Sequence, residues 1–288
     1  MLAPALALCV SLAAAATPYA PDEAMEFTVE FHGIRTGKAR IAVGRLEGTI
    51  LPVFLQARTG GLLAVVDLKQ QLASYLDAGT GLPRSASMDS VEPGYRLLTT
   101  TRFERANQKA TVRQQGKFDN TYELDVPPDT LDFVALVFRL RTLPLEPGTA
   151  HEFQVLSARK VQKVTVQAES RERIKTKAGP FDTVKVRVPT QFSGKFSEKS
   201  PTYVWFTDDA RRIVVRISTD FSIGRVVADL TAYRPGKLAE DAPAAQQTTD
   251  GPQAQQATAG PQAQQAGGGR QAEAAVEGPG ALQKPAVK

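Results

Sequence analysis

Val184-Lys185-Val186-Arg187-Val188 sets a valine against a cation at every second position. Side chains of a strand point alternately to opposite faces, so this run reads as a strand with one buried and one solvated face. The same period recurs on both sides. Upstream, Val164 and Val166 alternate with Thr165 and Gln167; downstream, Val226, Ala228 and Leu230 lie opposite Arg225 and Asp229. Nearer the start, Phe27, Val29 and Phe31 face one way and Thr28 and Glu30 the other, with Ile41 and Val43 after a turn. Turn signals separate the runs: Gly33 to Gly37, Gly60-Gly61, Asp77-Ala78-Gly79, Pro93-Gly94, Asp119-Asn120, Gly179-Pro180 and Asp208-Asp209. More than about ten such strands predict a mainly β chain, an antiparallel curved sheet or open barrel. No βαβ rhythm appears, which argues against a nucleotide-binding parallel sheet.

One segment breaks the period. After Pro127-Pro128, Asp129 or Thr130 is placed to cap a helix over about 129–141, through Phe133, Val134, Leu136, Val137, Phe138 and Leu140. Those spacings make a wide apolar stripe, so the helix packs against one side or end of the sheet. Arg139 and Arg141 fall in its last turn, where cations favour the helix dipole. A weaker helical pattern covers Leu62 to Leu76, with its latter half read as strand.

The flanks differ from this domain. Leu2 to Ala16 is apolar and uncharged and ends in four alanines, which suits a signal peptide cut near Ala16. The missing basic n-region leaves the translational start at Met1 open. The chain's one cysteine, Cys9, lies in this leader, but the preceding Leu8 is too large for a lipidation signal. After cleavage no thiol remains for a disulfide, a nucleophile or a metal. At the other end, 36 of the last 50 residues are Ala, Gln, Gly or Pro, and none is aromatic. Such a segment cannot bury enough apolar surface to order itself. Gly251-Pro252-Gln253-Ala254-Gln255-Gln256-Ala257 recurs from Gly260 as two copies at period nine, the mark of a spacer. The expected plan is a signal peptide at 1–16, a β domain at 22–236 and a disordered tail at 237–288, with no transmembrane span in the mature chain.

Chemistry-bearing patterns are sparse. The two histidines, His32 and His151, share no metal-ligand spacing. No G-x-S-x-G, G-x-G-x-x-G or phosphate-loop string occurs. Asp208-Asp209 reads as a hairpin turn, because aspartate side chains bond the local backbone. Between Thr17 and Gly236 there are 31 basic and 25 acidic residues, an excess that would favour an anionic surface without demanding one. Cations are not interleaved with stacking aromatics, so a nucleic-acid module is not expected. Neither a cofactor nor a catalytic set is predicted, and the reading is of a non-enzymatic protein.

Several motifs nevertheless occur in a recognisable order. They are Phe31-His32-Gly33-Ile34 with Gly37; Ala57-Arg58-Thr59-Gly60-Gly61; Leu82-Pro83; Asp132 with Leu136, Arg139 and Arg141; Ala178-Gly179-Pro180-Phe181-Asp182-Thr183; Val204-Trp205-Phe206-Thr207-Asp208-Asp209, running on to Arg212-Ile213-Val214-Val215-Arg216; and Ile223-Gly224. Together they resemble the bacterial domain-of-unknown-function family numbered 3108, over about Ala24 to Tyr233. The resemblance implies an exported envelope protein with a curved, barrel-like β fold, and it brings no activity and no catalytic residues. The family often has a proline near Val214, absent here, which touches strand geometry alone.

Three functions compete at this level. The first is a periplasmic or outer-membrane-associated protein holding an apolar or amphiphilic ligand, such as a lipid or lipoprotein, in its concave face. The second is an assembly factor binding protein or polysaccharide through strand edges or a basic face. The third is a cell-wall hydrolase using carboxylates such as Asp132 or Asp208. For the first, the candidate lining near the helix is Phe133, Val137, Phe138, Arg139, Arg141 and Trp205, each with core packing as its competing role. Oligomeric state is left open.

Overall fold

The computed structural model describes residues 19–60, 69–92, 94–157, 159–189, 201–221 and 224–237. The expected leader, the Leu62 to Leu68 part of the helical pattern and the tail from residue 238 lie outside them. Among the described residues the chain runs β1 (Ala24–Phe31), β2 (Ile34–Val43), β3 (Ile50–Thr59), β4 (Lys69–Asp77), β5 (Pro83–Glu92), β6 (Tyr95–Glu104), β7 (Lys109–Gln115) and β8 (Asn120–Asp125). The helix α1 (Phe133–Arg141) follows. Then come β9 (Ala150–Ser157), β10 (Lys160–Thr176), β11 (Gly179–Val188), β12 (Thr202–Thr207), β13 (Val214–Phe221) and β14 (Gly224–Arg234). The latter half of the Leu62–Leu76 pattern is therefore strand, as read from the sequence.

All fourteen strands form one curved, unclosed antiparallel sheet, in the order β8-β7-β6-β5-β4-β3-β2-β1-β14-β13-β12-β11-β10-β9. Two meanders, β1 to β8 and β9 to β14, are thus joined along a seam. There β1 pairs with β14, from Ala24↔Arg234 to Phe31↔Val226. Alternation decides the faces as predicted. Val164, Val166, Val184, Val186 and Val188 are buried, and Thr165, Gln167 and Arg187 are exposed. The turn at His32-Gly33 takes positive φ at both residues, 49° and 77°, the twist a two-residue hairpin needs.

The two sheet edges meet by overlap rather than by a strand pair. Leu156 and Val161 face away from the side on which Phe153 and Val164 enter the main core. They pack instead against Phe103, Ala110, Val112 and Val126, with Tyr122 and Leu124. Apolar residues on β6, β7 and β8 thus cover the outside of the first turn of β9 and β10. At the open edge of β9 the backbone of Leu131 bonds to Gln154 and Leu156 and occupies part of what would otherwise be unpaired.

The helix occupies the hollow and packs against β3, β4 and β9. Val134, Ala135, Leu136, Val137, Phe138, Leu140 and Arg141 are all buried, so it is covered nearly all round. It begins later than the expected cap at Asp129 or Thr130: its N-cap is Asp132, whose Oδ1 accepts from the Ala135 N–H at 2.9 Å. The physical reason is Leu131. Its N–H donates to Gln154 O, and its carbonyl accepts from the Leu156 N–H, both at 2.8 Å. This short parallel bridge to β9 keeps the backbone extended up to Asp132.

Candidate functional site at the helix end of the barrel

In a continuous antiparallel sheet the connections fall alternately at two ends. The links β2–β3, β4–β5, β6–β7, β8–β9, β10–β11 and β12–β13 share the end that also holds the C-terminus of α1. Here Glu23 begins the inward phase of β1, ahead of Met25 and Phe27. Its carboxylate takes two guanidinium bonds from Arg141, Nη1 to Oε2 and Nη2 to Oε1, both at 2.8 Å. Tyr233 donates its hydroxyl to Oε1 at 3.1 Å, and Arg141 Nη2 also reaches Arg211 O at 3.0 Å. The guanidinium lies over the rings of Tyr19 and Phe138, at 5.3 and 5.5 Å. Side-chain exposure is 0% for Arg141 and 2% for Glu23, so both charges are compensated inside the fold. Burial and the Glu23 carboxylate push the Tyr233 hydroxyl up to about 12, and burial also raises Tyr19.

Above this cluster opens a cleft of about 640 Å³. Its apolar wall is Tyr19, Leu51, Leu76 and Leu143, and its rim carries Arg139, Arg212 and the turn Asp77 to Gly81. The Asp77 carboxylate is already committed to Arg84 and to the N–H groups of Gly79 and Thr80. Those partners hold it below the ordinary carboxylate value, the Arg84 hydrogen bond first. Among the described residues, Arg139 and Arg212 have no ion-pair partner, and Arg212 Nη1 is enclosed without a hydrogen bond. The cleft therefore presents two uncompensated guanidinium groups beside an apolar wall.

The sequence-level candidates divide. Arg139 is exposed on the rim and Arg141 lies beneath it in the ion pair. Val137 and Phe138 are core, and Phe133 packs half-buried against it. Trp205 is elsewhere. Val204 and Phe206 point into the main core, so Trp205 takes the other face, in a small cluster with Ile174 and Val215. Its Nε1–H donates to Glu172 Oε2 at 3.0 Å. Glu23, Tyr19, Tyr233 and Arg212 escaped the sequence reading as site residues. For Glu23 a signal existed: a carboxylate in phase with Met25 and Phe27.

The carboxylates that a hydrolase would use are engaged separately. Asp132 caps the helix and accepts from Ser74 Oγ at 2.6 Å, and desolvation raises its pKa. Asp208 pairs with Arg171 at 2.7 Å, while Asp209 organises the turn by accepting from the Arg211 and Arg212 N–H groups. The histidines also lie at separate places. His32 forms the β1–β2 turn, and His151 at the start of β9 sits 3.2 Å from Pro144 O.

Sheet, plug and end cleft together define a β-barrel-like domain with its open volume beside the helix. The fold is similar to that of the β-barrel-like protein of domain of unknown function DUF1849 from Brucella abortus. The TM-score is 0.51 at 11% identity, covering 76% of this chain and all of that one. Weaker likenesses are to a protein described as exported, with a YmcC-like fold, from Bacteroides fragilis (TM-score 0.33, 12% identity, 75% of this chain and 97% of that one) and to one described as a lipoprotein from Parabacteroides distasonis (TM-score 0.35, 11% identity, 76% and 98%). The chain belongs to the family of proteins of unknown function DUF3108, whose pattern matches residues 26–231. No protein of curated function matches it.

Proposed function

We propose that this is a non-enzymatic protein of the cell envelope, exported to the periplasm or associated with the outer membrane, that binds an amphiphilic ligand carrying an anionic group. The carrying observation is the cleft at the helix end. Its volume falls within the range of about 300–1,000 Å³ common for small-ligand sites. Half-buried Leu143, with the small exposed parts of Leu51 and Tyr19 over buried Leu76, offers an acyl chain an apolar wall, and Arg139 and Arg212 offer its head group two guanidinium donors. The hollow around Val137 and Phe138 is filled by the helix itself, so the ligand sits at the mouth and not deep in the sheet. Export is supported by the apolar leader read from the sequence.

Titration calorimetry with dodecyl phosphate and with neutral dodecyl maltoside tests this. The phosphate should bind more tightly, and R139A/R212A should weaken it by about tenfold or more, the scale of a lost charge-assisted bond. Equal affinity for both amphiphiles, or an unchanged variant, would overturn the reading. The assembly-factor alternative is favoured by β8, one of the sheet's two outermost strands, which pairs with β7 on one side alone. Reproducible in-cell crosslinks from a photoreactive residue at Thr121 would support that alternative.

A further inference from the structure

The end opposite the cleft carries a different surface. The connections β1–β2, β3–β4, β5–β6, β7–β8, β9–β10, β11–β12 and β13–β14 all fall there, because links between successive antiparallel neighbours alternate between the two ends. Among the described residues four large apolar side chains are exposed, and three lie at this end: Ile34 (55%), Tyr95 (47%) and Phe118 (72%). Each has an exposed cation as its immediate chain neighbour, Arg35, Arg96 and Lys117 respectively; Arg96 is paired with Asp89 at 2.7 Å, and exposed Asp119 follows Phe118, which leaves Arg35 and Lys117 as the tip cations without an ion pair among the described residues. Lys117 Nζ lies 5.7 Å from the Phe118 ring. Arg159 and Lys160 add two more exposed cations at the β9–β10 connection. Adjacent strands lie about 4.8 Å apart, so along the sheet the Phe118 tip stands roughly 10 Å from the Tyr95 tip, and that tip roughly 20 Å from Ile34.

We infer that this end docks on an anionic lipid surface, with Ile34, Tyr95 and Phe118 as shallow anchors and Arg35, Lys117 and Arg159 facing the head groups. Hairpin tips present their apolar groups without disturbing the core, since none of the three packs into it. Amphipathic aromatic rings prefer the head-group level of a bilayer, and long cationic side chains beside them reach lipid phosphates. A soluble partner with an apolar socket would explain one exposed ring. Three separated tips, those of Ile34 and Phe118 each beside a cation that has no ion pair among the described residues, match a laterally extended, negatively charged, deformable surface. The cleft then opens on the side away from the membrane.

The test is co-sedimentation of the full mature chain with vesicles of phosphatidylcholine alone and of an equimolar mixture with phosphatidylglycerol. The mixed vesicles should retain the protein and neutral ones should retain far less. I34S/Y95S/F118S should lower partitioning by about tenfold or more, as shallow apolar anchors do. L46S, at the opposite end, should leave it unchanged, and all three exposed positions permit normal folding, checked by circular dichroism. Equal sedimentation of the triple variant and the unaltered protein, or no retention by mixed vesicles, would overturn the inference. Dodecyl phosphate binding by the triple variant reads the cleft independently.

Discussion

Removing the Glu23 carboxylate by Glu23→Ala strips Arg141 of both its 2.8 Å carboxylate bonds and Tyr233 of its acceptor. The guanidinium cannot move to water, because its side chain is 0% exposed. Breaking a buried pair from one side typically costs about 3–5 kcal/mol. Arg141 would keep its bond to Arg211 O and its place over Tyr19 and Phe138, which sets the expectation near the lower bound, about 3 kcal/mol. In a domain of this size each kcal/mol moves the melting temperature by about 2–4 °C, so calorimetry should read a loss of about 6–12 °C. Replacing both partners with apolar residues, E23L/R141M, should recover much of it, since an unpaired buried charge is costlier than none. The four-member cycle should give a coupling above about 2 kcal/mol. Additive single losses, or a shift for Glu23→Ala under about 3 °C, would show that the pair does not act as a buried unit.

Three further outcomes follow from single contacts. Desolvation raises the Asp132 pKa, so the folded state binds its proton more tightly than the unfolded chain does. That group's contribution to stability is present below the ordinary carboxylate value and declines as pH rises through the raised one; urea midpoints followed upward from the ordinary carboxylate range should show this slope and D132N should remove it. Gly37→Ala would drive its Cβ into the Arg58 carbonyl oxygen on paired β3, so chemical denaturation should show a loss of about 1–3 kcal/mol, and an unchanged midpoint would mean the β2–β3 pairing gives way freely. Trp205 is the chain's one tryptophan and sits on the face away from the core, so its emission maximum should stay fixed while dodecyl phosphate fills the cleft; a shift on binding would place the ligand elsewhere.

Much of the fold was legible because β structure writes its faces into a period of two. The valines of β10 and β11 and the Asp208-Asp209 turn needed only local chemistry; the first hairpin, expected over Gly33 to Gly37, turns at His32-Gly33 instead, and Ile34 to Gly37 already belong to β2. The pairing of β1 with β14 did not, because it joins Ala24 to Arg234 and no local periodicity carries so distant a register. The helix starts two or three residues after the expected cap for a related reason: Asp129 and Thr130 are good caps, but Leu131 is claimed by β9. At the site, Arg139 and Arg141 were visible as cations in a last helical turn. What separates them, one on a rim and one under it, depends on Glu23 from the far side of the sequence. Trp205 could have been placed better from the chain alone, since Val204 and Phe206 flank it in the inward phase.

The position of the ion pair bears on why a buried charge is retained there. Glu23 leads into β1 of the first meander, Tyr233 belongs to β14 of the second, and Arg141 ends the helix in the link between them. The seam between the meanders is antiparallel and rich in apolar side chains on the inner face, so a slip of two residues would keep the same side chains inside. Hydrophobic burial alone discriminates weakly against such a slip. A carboxylate that must meet both Arg141 and Tyr233 is not indifferent to it. Moving β1 by two residues carries the Glu23 oxygens about 6–7 Å along the sheet, beyond hydrogen-bond reach of either partner. The pair therefore adds to the seam a contact that only one register satisfies, close to the mouth that Tyr19, Leu51 and Arg139 line.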